Sequence, residues 1–279
     1  VPHSTKFSCI SQHTERDLGS GDRENLDRAQ ERAKLEPMAS LYLNPALEPA
    51  DAELGARVTV TGDEARHAVQ VARVRMGERI AIGDGSGFLV WGIVVAASPA
   101  ELAIEVDEVR HDPEPEPPLW LAQALAKGDR DELAVQAATE LGAAGVIPWA
   151  AERSVSRWEG AKAEKGRDRW VSIVREASKQ AIRSRVPDVA GLATTANLAA
   201  LPGTLLVLDP LGDVALTEVP VGAEQITLVV GPEGGISPRE FALLEEGGAI
   251  RVRLGPEVLR TSTAGPSALA VLNARLGRW

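Results

Sequence analysis

The 279-residue chain is poor in the groups that most often do covalent or metal chemistry: one cysteine, four histidines and one tyrosine. A lone Cys9 has no partner for an internal disulfide, which fits a reducing compartment and makes a cytoplasmic protein the expectation. The histidines (His3, His13, His67 and His111) are scattered without metal-ligand spacing, so no metal is expected. No apolar run approaches the roughly 20 residues of a membrane span. No basic start followed by an apolar core and a cleavage site is seen either, so no membrane partner is expected. No serine sits in a nucleophile elbow and no nucleophile stands beside a base, which excludes covalent catalysis as the working expectation. What remains is a reaction that needs positioning and at most one deprotonation. Methyl transfer from a sulfonium is of that kind, because the leaving group is already activated.

Enough is present to fold. Hydrophobic residues make up 44% of the chain, and its length suits two domains of ordinary size. The net charge of −10 argues against a generic polyanion binder. That average hides a block from Arg153 to Arg185 with ten basic residues against four acids. Such a block reads either as one defined anionic partner surface or as a solvated helix face.

Residues 1–37 are polar, alternate in charge and lack apolar periodicity, so they read as a tail or an upstream-start extension before Met38. Residues 38–111 read as β-rich: strands at Arg57–Thr61, Arg79–Gly83, Phe88–Val95 and Leu102–Val106, with a short helix over Asp63–Arg75. Short strands with tight turns predict a small barrel. The Gly83–Gly87 cluster lacks the spacing and following helix of a dinucleotide loop and reads as a hairpin turn. Asp112–Pro118 holds four prolines in seven residues and reads as a stiff linker. Beyond it, over residues 119–279, strands and helices alternate, which predicts an α/β domain with a mostly parallel sheet. Its helices are expected over Asp129–Leu141, from about Ala161 or Gly166 to Arg183, from Ser237 behind a capping box, and over about Ser262–Arg275.

Three apolar strands of this second region end in loops rich in glycine and proline: Asp209-Pro-Leu-Gly212, Gly231-Pro-Glu-Gly-Gly235 and Leu254–Thr261. Loops at the carboxyl ends of strands are where an open α/β sheet binds its ligand. Flanked by Leu208, Leu211, Leu254 and Leu259, they suit a flat ring such as adenosine. Neither a lysine nor the hydroxyl residue of a Walker loop follows Gly235, so a nucleoside triphosphate is not expected. On the long helix, Arg175, Lys179 and Arg183 fall four apart as one stripe, with Trp170, Val174, Ala177 and Ala181 on another face. The stripe fits phosphate contacts or surface pairing, such as Glu176 with Lys179. Arg153-Ser154, at the end of the preceding strand, is placed to face the same site.

These segments resemble a known family. Lys127-Gly-Asp-Arg130, Thr139-Glu-Leu-Gly142, Arg153-Ser154, Glu176–Arg183 with Pro187, Gly231–Gly235 and Leu254–Thr261 are similar, in order and spacing, to the SPOUT class of S-adenosylmethionine-dependent methyltransferases. Within that class they resemble the bacterial 16S ribosomal RNA (uracil-N3)-methyltransferase family. His67–Arg75 with Gly77 resembles that family's PUA-like RNA-binding domain. The resemblance covers roughly residues 38–279.

It implies a knotted, mostly parallel sheet preceded by a PUA-like barrel. It also implies a cytoplasmic homodimer that methylates N3 of one uridine in the decoding region of the small subunit's 16S rRNA, with the assembled subunit as its substrate. S-adenosyl-L-methionine would be held by Leu208, Asp209, Pro210, Gly231, Pro232, Glu233, Gly234, Gly235, Leu254, Gly255, Val258, Leu259 and Thr261. RNA would meet His67, Arg73, Arg75, Arg153, Ser154, Arg175, Lys179, Gln180 and Arg183. Arg260 is the candidate to stabilise a uracil anion, and Glu233 to steer the proton or the ribose. The chain departs from the family at Ser262, where an acid is common, and at Gly265-Pro-Ser267. Rival readings are a ribose 2′-O-methyltransferase, disfavoured because Thr261–Ala268 contains no asparagine, and a non-catalytic RNA-binding assembly factor that keeps the fold. A metabolic nucleotide-binding protein leaves the basic block and the β-rich region unexplained.

Overall fold

The computed structural model describes residues 40–279. The expected extension at 1–37, Met38 and Cys9 lie outside the described residues. Five strands form a first sheet: β1 (Leu41–Leu43), β2 (Arg57–Thr61), β3 (Arg79–Gly83), β4 (Phe88–Ser98) and β5 (Glu101–His111). Their order is β1-β3-β4-β5-β2. Strands β3, β4, β5 and β2 pair antiparallel, and β1 runs parallel to β3. Alternation decides which face is buried: in β2, Val58 and Val60 point inward and join Ile80, Ile82, Val90 and Ile104 in one core. The sheet curls into a barrel. Asn44, just past β1, donates through Nδ2 to the Thr59 carbonyl of β2 at 3.2 Å, so the two edge strands meet.

A short helix α1 (Gly62–Arg66) runs into a π turn over His67–Val71. The helix expected as far as Arg75 therefore stops early. Arg73 adopts φ 59°, and that turn returns Val74 to the barrel core. The hairpin at Asp84–Gly87 is as expected, with Asp84 Oδ1 accepting from the Ser86 and Phe88 amides at 2.6 and 3.0 Å.

The second sheet contains β6 (Leu119–Ala124), β7 (Gly145–Trp149), β8 (Asp188–Val189), β9 (Thr204–Leu208), β10 (Val214–Ala215), β11 (Ile226–Val230) and β12 (Ile250–Arg253). Their order is β10-β12-β9-β11-β6-β7-β8, and every pairing is parallel. The helices are α2 (Arg130–Glu140), α3 (Ala161–Gln180), α4 (Thr195–Ala199), α5 (Pro238–Glu246) and α6 (Thr261–Arg275). Parallel strands covered on both faces are apolar throughout, and β11 is buried at all five positions. Side chains on one face (Leu121, Leu206, Leu228) meet Val135, Trp170 and Leu269 of α2, α3 and α6. Their neighbours on the other face (Ala122, Val207, Val229) meet Leu198 and Leu244 of α4 and α5.

The proline-rich segment between the sheets is anchored at its start. Ser184 Oγ donates to Asp112 Oδ2 at 2.5 Å, and Arg185 donates to the Asp112 carbonyl at 2.9 Å. The Gly87 amide donates to Ser184 O and the Val186 amide to Gly85 O, so the hairpin of the first sheet pairs with the chain after α3. A second tie joins α1 to α3. Glu64 Oε1 accepts from the Leu43 amide at 3.0 Å and lies 3.2 Å from Lys179 Nζ, while Arg175 lies 3.5 Å from Glu64 Oε2.

Candidate active site

Strands β12, β9 and β11 are adjacent, so the loops leaving their carboxyl ends converge. They enclose a cavity of about 530 Å³. Leu208, Ile236, Phe241, Leu254 and Leu259 give it apolar walls, and Gly231, Pro232, Gly235 and Gly255 bring backbone to its surface. Close approach explains two of the glycines. A Cβ on Gly231 would stand 2.7 Å from Ile236 Cγ1, and one on Gly234 would stand 3.0 Å from Arg153 Cβ. Ser237 caps α5 with its hydroxyl accepting from the Glu240 amide, and the Glu240 carboxylate accepts from the Ser237 amide at 3.0 Å. This fixes where the Gly231–Ile236 loop ends.

The loops are also fastened to one another. Thr261 Oγ1, at the start of α6, donates to Gly231 O at 2.9 Å and accepts from Gln123 Nε2 at 2.8 Å. Asp209 accepts from the Leu211 amide at 3.0 Å and from Arg251 Nε at 2.9 Å, and Arg251 lies over the Phe241 ring, 4.4 Å from its centre. Asp209 is therefore a buried anchor for the β9–β12 edge. Glu233 accepts from the Lys127 amide at 3.3 Å and from Arg130 at 3.0 Å. Burial works to raise the Glu233 pKa, but its own amide, Arg130 and the Lys127 amide outweigh it and hold the carboxyl below the usual range. A carboxylate held ionised in this way is a weak proton acceptor, which counts against Glu233 as the group that takes a proton.

Of the expected donor-site residues, Leu208, Asp209, Pro210, Gly231, Pro232, Glu233, Gly235, Leu254, Gly255, Val258, Leu259 and Thr261 line this single cavity, as does Arg260. Gly234 does not line it; it packs behind, against Arg153. Leu211 does not flank it either and is 82% exposed. Sequence reasoning did not assign Arg130, Phe241 and Glu257 to the lining, nor the apolar Val230, Ile236, Val252 and Ala264. Glu257 and Arg130 lay inside quoted motifs without being assigned to the cavity; Phe241 comes from the first turn of α5, whose approach no local pattern reveals.

Two sequence signatures match: one for an RNA methyltransferase domain over residues 113–273, and one for an RNA methyltransferase PUA domain over residues 60–107. Ribosomal RNA small subunit methyltransferase E of Mycobacterium bovis is 41% identical over 235 residues, which is 81% of this chain and 90% of that protein. This chain belongs to the ribosomal RNA small subunit methyltransferase E family. The Bacillus subtilis member is 30% identical, over 77% of this chain and 89% of its own length. The crystal structure of the Neisseria gonorrhoeae member, bound to S-adenosyl methionine, is 27% identical with a TM-score of 0.75, covering 85% of this chain and 98% of that one. A putative methyltransferase from Legionella pneumophila, in complex with the same cofactor, gives the same identity and TM-score. The fold class is that of the family: a SPOUT-type knotted parallel sheet behind a PUA-like domain.

Within this family member the expected RNA contacts divide. His67, Arg73, Arg75, Arg153 and Gln180 are exposed. Arg153 also donates to Gly234 O at 3.2 Å, which places it beside the cavity loop. Ser154 is corrected: it is 4% exposed, with its hydroxyl enclosed in protein. Lys179 is corrected as well, being buried between Glu64 and Glu176, at 3.2 Å from each. Arg175 is half-buried and faces Glu64 and Leu43 O. Arg183 does not continue the stripe. The helix ends at Gln180, Ile182 takes φ 51°, and Arg183 turns inward to donate to Thr139 O and Ala143 O at 2.5 and 2.9 Å. Burial pushes its pKa down to about 10. Much of the basic block is thus committed internally, with Arg167 on Val189 O and Arg169 on Glu132 as further cases.

Proposed function

We propose that this chain transfers the methyl group of S-adenosylmethionine to N3 of one uridine in the decoding region of 16S rRNA, acting on the assembled small subunit as a cytoplasmic homodimer. Family membership supports the RNA methyltransferase activity, and the names of its relatives support the small-subunit RNA as target. The cavity supports the donor. Its size, its apolar walls and the bare backbone at Gly231, where a Cβ would stand 2.7 Å from Ile236, fit an adenosine with a short polar tail.

Leu208, Ile236, Leu254 and Leu259 would enclose the adenine ring, and the loops at Gly231 and Leu254–Leu259 would offer their amides and carbonyls. Bound there, S-adenosylmethionine supplies a methyl group on a positively charged sulfur. The protein then has to position uracil and manage one proton, because N3 carries a hydrogen that must leave for its lone pair to attack.

Arg260 carries the reading. It lines the cavity, is exposed, and has no side-chain partner among the described residues, whereas Arg130, the other cavity-lining arginine, is paired with Glu233. A free guanidinium beside the donor stabilises the charge that develops on the uracil oxygens as N3 is deprotonated. The test is methyl transfer to intact small subunits lacking the modification, with Arg260→Ala compared to the unaltered protein. Turnover should fall by about 100-fold, the usual loss for one charge-stabilising donor, while the affinity for S-adenosylmethionine changes little. Equal turnover in the variant would reject the role given to Arg260. Absence of transfer by the unaltered protein would reject the activity.

A further inference from the structure

Among the described residues, three carboxylates line the cavity: Asp209, Glu233 and Glu257. Two of them are spoken for. Asp209 holds Arg251 and the Leu211 amide, and Glu233 holds Arg130 and the Lys127 amide. Glu257 has neither a hydrogen bond nor an ion pair to any described residue, and it is exposed on the Leu254–Arg260 loop. Its carboxylate folds back along the loop, with Oε2 3.5 Å from the place a Cβ on Gly255 would occupy. Among the described residues the lining contains no histidine, cysteine, tyrosine or lysine, and the Thr261 hydroxyl is engaged both as donor and as acceptor. Among the described residues that line the cavity, Glu257 is the side chain that can accept a proton without breaking an existing contact.

We infer that Glu257 accepts the N3 proton of the target uracil, and that it selects for a base carrying a hydrogen at that position. The inference rests on the function proposed above. The Watson–Crick edge of uracil presents an acceptor oxygen, the N3–H donor and a second acceptor oxygen. A carboxylate that faces N3 and a guanidinium that faces a flanking oxygen match that edge, and Glu257 and Arg260 stand three positions apart on one loop. Cytosine offers a lone pair at N3 and would set it against the carboxylate, so the same pair disfavours cytosine.

The step balances. The N3–H bond breaks and its proton passes to the Glu257 carboxylate. The N3 electron pair forms the new bond to the methyl carbon, and the carbon–sulfur bond breaks with its electron pair left on sulfur, which loses its positive charge. Glu257 returns the proton to water after the product leaves.

The experiment compares the unaltered protein with Glu257→Gln and Glu257→Asp on small subunits lacking the modification. Affinity for S-adenosylmethionine is measured separately by calorimetric titration of the protein alone. Glutamine keeps the size and polarity but accepts no proton. We expect kcat to fall by about 100-fold in Glu257→Gln, within the usual range for a lost acid–base group, with donor affinity within twofold and partial recovery in Glu257→Asp. Raising the pH, which ionises uracil itself, should restore the glutamine variant more than it accelerates the unaltered protein; a merely structural role would not produce that difference. Unchanged kcat in Glu257→Gln would overturn the inference, and so would a loss confined to donor affinity, which would make Glu257 a contact to the donor. If the unaltered protein forms no methylated uridine, the proposed function fails first, and the two failures are thereby distinguished.

Discussion

The hydroxyl of Thr261 donates to the carbonyl of Gly231 at 2.9 Å, tying the start of the last helix to the first residue past β11. Gln123 Nε2 donates to the same hydroxyl at 2.8 Å, so one side chain links three neighbouring structural elements beneath the cavity. Thr261→Val keeps the shape and removes both bonds. It should cost about 1–3 kcal/mol, the usual penalty for leaving buried partners unpaired. Donor affinity should fall with it, by about tenfold. Urea unfolding and calorimetric titration check the two effects, and unchanged donor affinity would show that this link does not shape the cavity.

Lys179 ties α3 to α1 through Glu64, with only 6% of its side chain exposed. Lys179→Met should destabilise the protein by about 2 kcal/mol. That is less than the roughly 3–5 kcal/mol for breaking a fully buried pair, because Arg175 and the Leu43 amide still face Glu64. Glu176→Gln, on the exposed side of the same lysine, should cost under about 1 kcal/mol. Affinity for small-subunit RNA, measured on folded Lys179→Met, should be unchanged; a clear loss would restore Lys179 as a phosphate contact.

Arg183 closes the carboxyl end of α2 by donating to Thr139 O and Ala143 O. Arg183→Ala should lower stability by about 2–3 kcal/mol through the carbonyls left unpaired in a buried setting. Urea unfolding reads this directly, and a loss within about 0.5 kcal/mol, typical of a plain surface site, would contradict the buried role.

Glu233 has a carboxyl pKa held below its ordinary value of 4.5 in the folded protein. The unfolded chain then binds this proton more readily than the folded one, so stability rises with pH through that window. The contribution is present above the ordinary value and is lost as pH falls through the folded one. The difference in urea midpoint between the unaltered protein and Glu233→Gln should therefore shrink as the medium is acidified below about pH 4.5. A difference constant with pH would mean that the carboxylate is not held by Arg130 and the two amides.

Much of this architecture was legible because it is local. The apolar strand that stops at Gly231 and the Ser237 capping box occur within a few residues of one another, and each appears where expected. The convergence of three glycine-bearing loops followed from the rule for parallel sheets. The fate of the basic stripe was not legible. Spacing by four puts Arg175 and Lys179 on one face, but Glu64, which covers that face, comes from α1, 115 positions away in Lys179's case. Arg183 left the stripe because Ile182 turns the backbone, an event no helical period announces. Short elements such as α4, β8 and β10 carry too few residues for any period, and their partners lie far along the chain. Within the site, the loops could be named from sequence. Which carboxylates are paired could not, because Arg251 and Arg130 reach Asp209 and Glu233 across strand and loop.

The identity of the methylated atom tests the central claim most directly. Labelled methyl is transferred from S-adenosylmethionine to small subunits lacking the modification, the RNA is digested, and its nucleosides are resolved by mass spectrometry. The account predicts 3-methyluridine as the labelled product. Label on a ribose 2′-oxygen would contradict it, keeping the family's fold but placing the chemistry away from the base edge that Glu257 and Arg260 are proposed to hold.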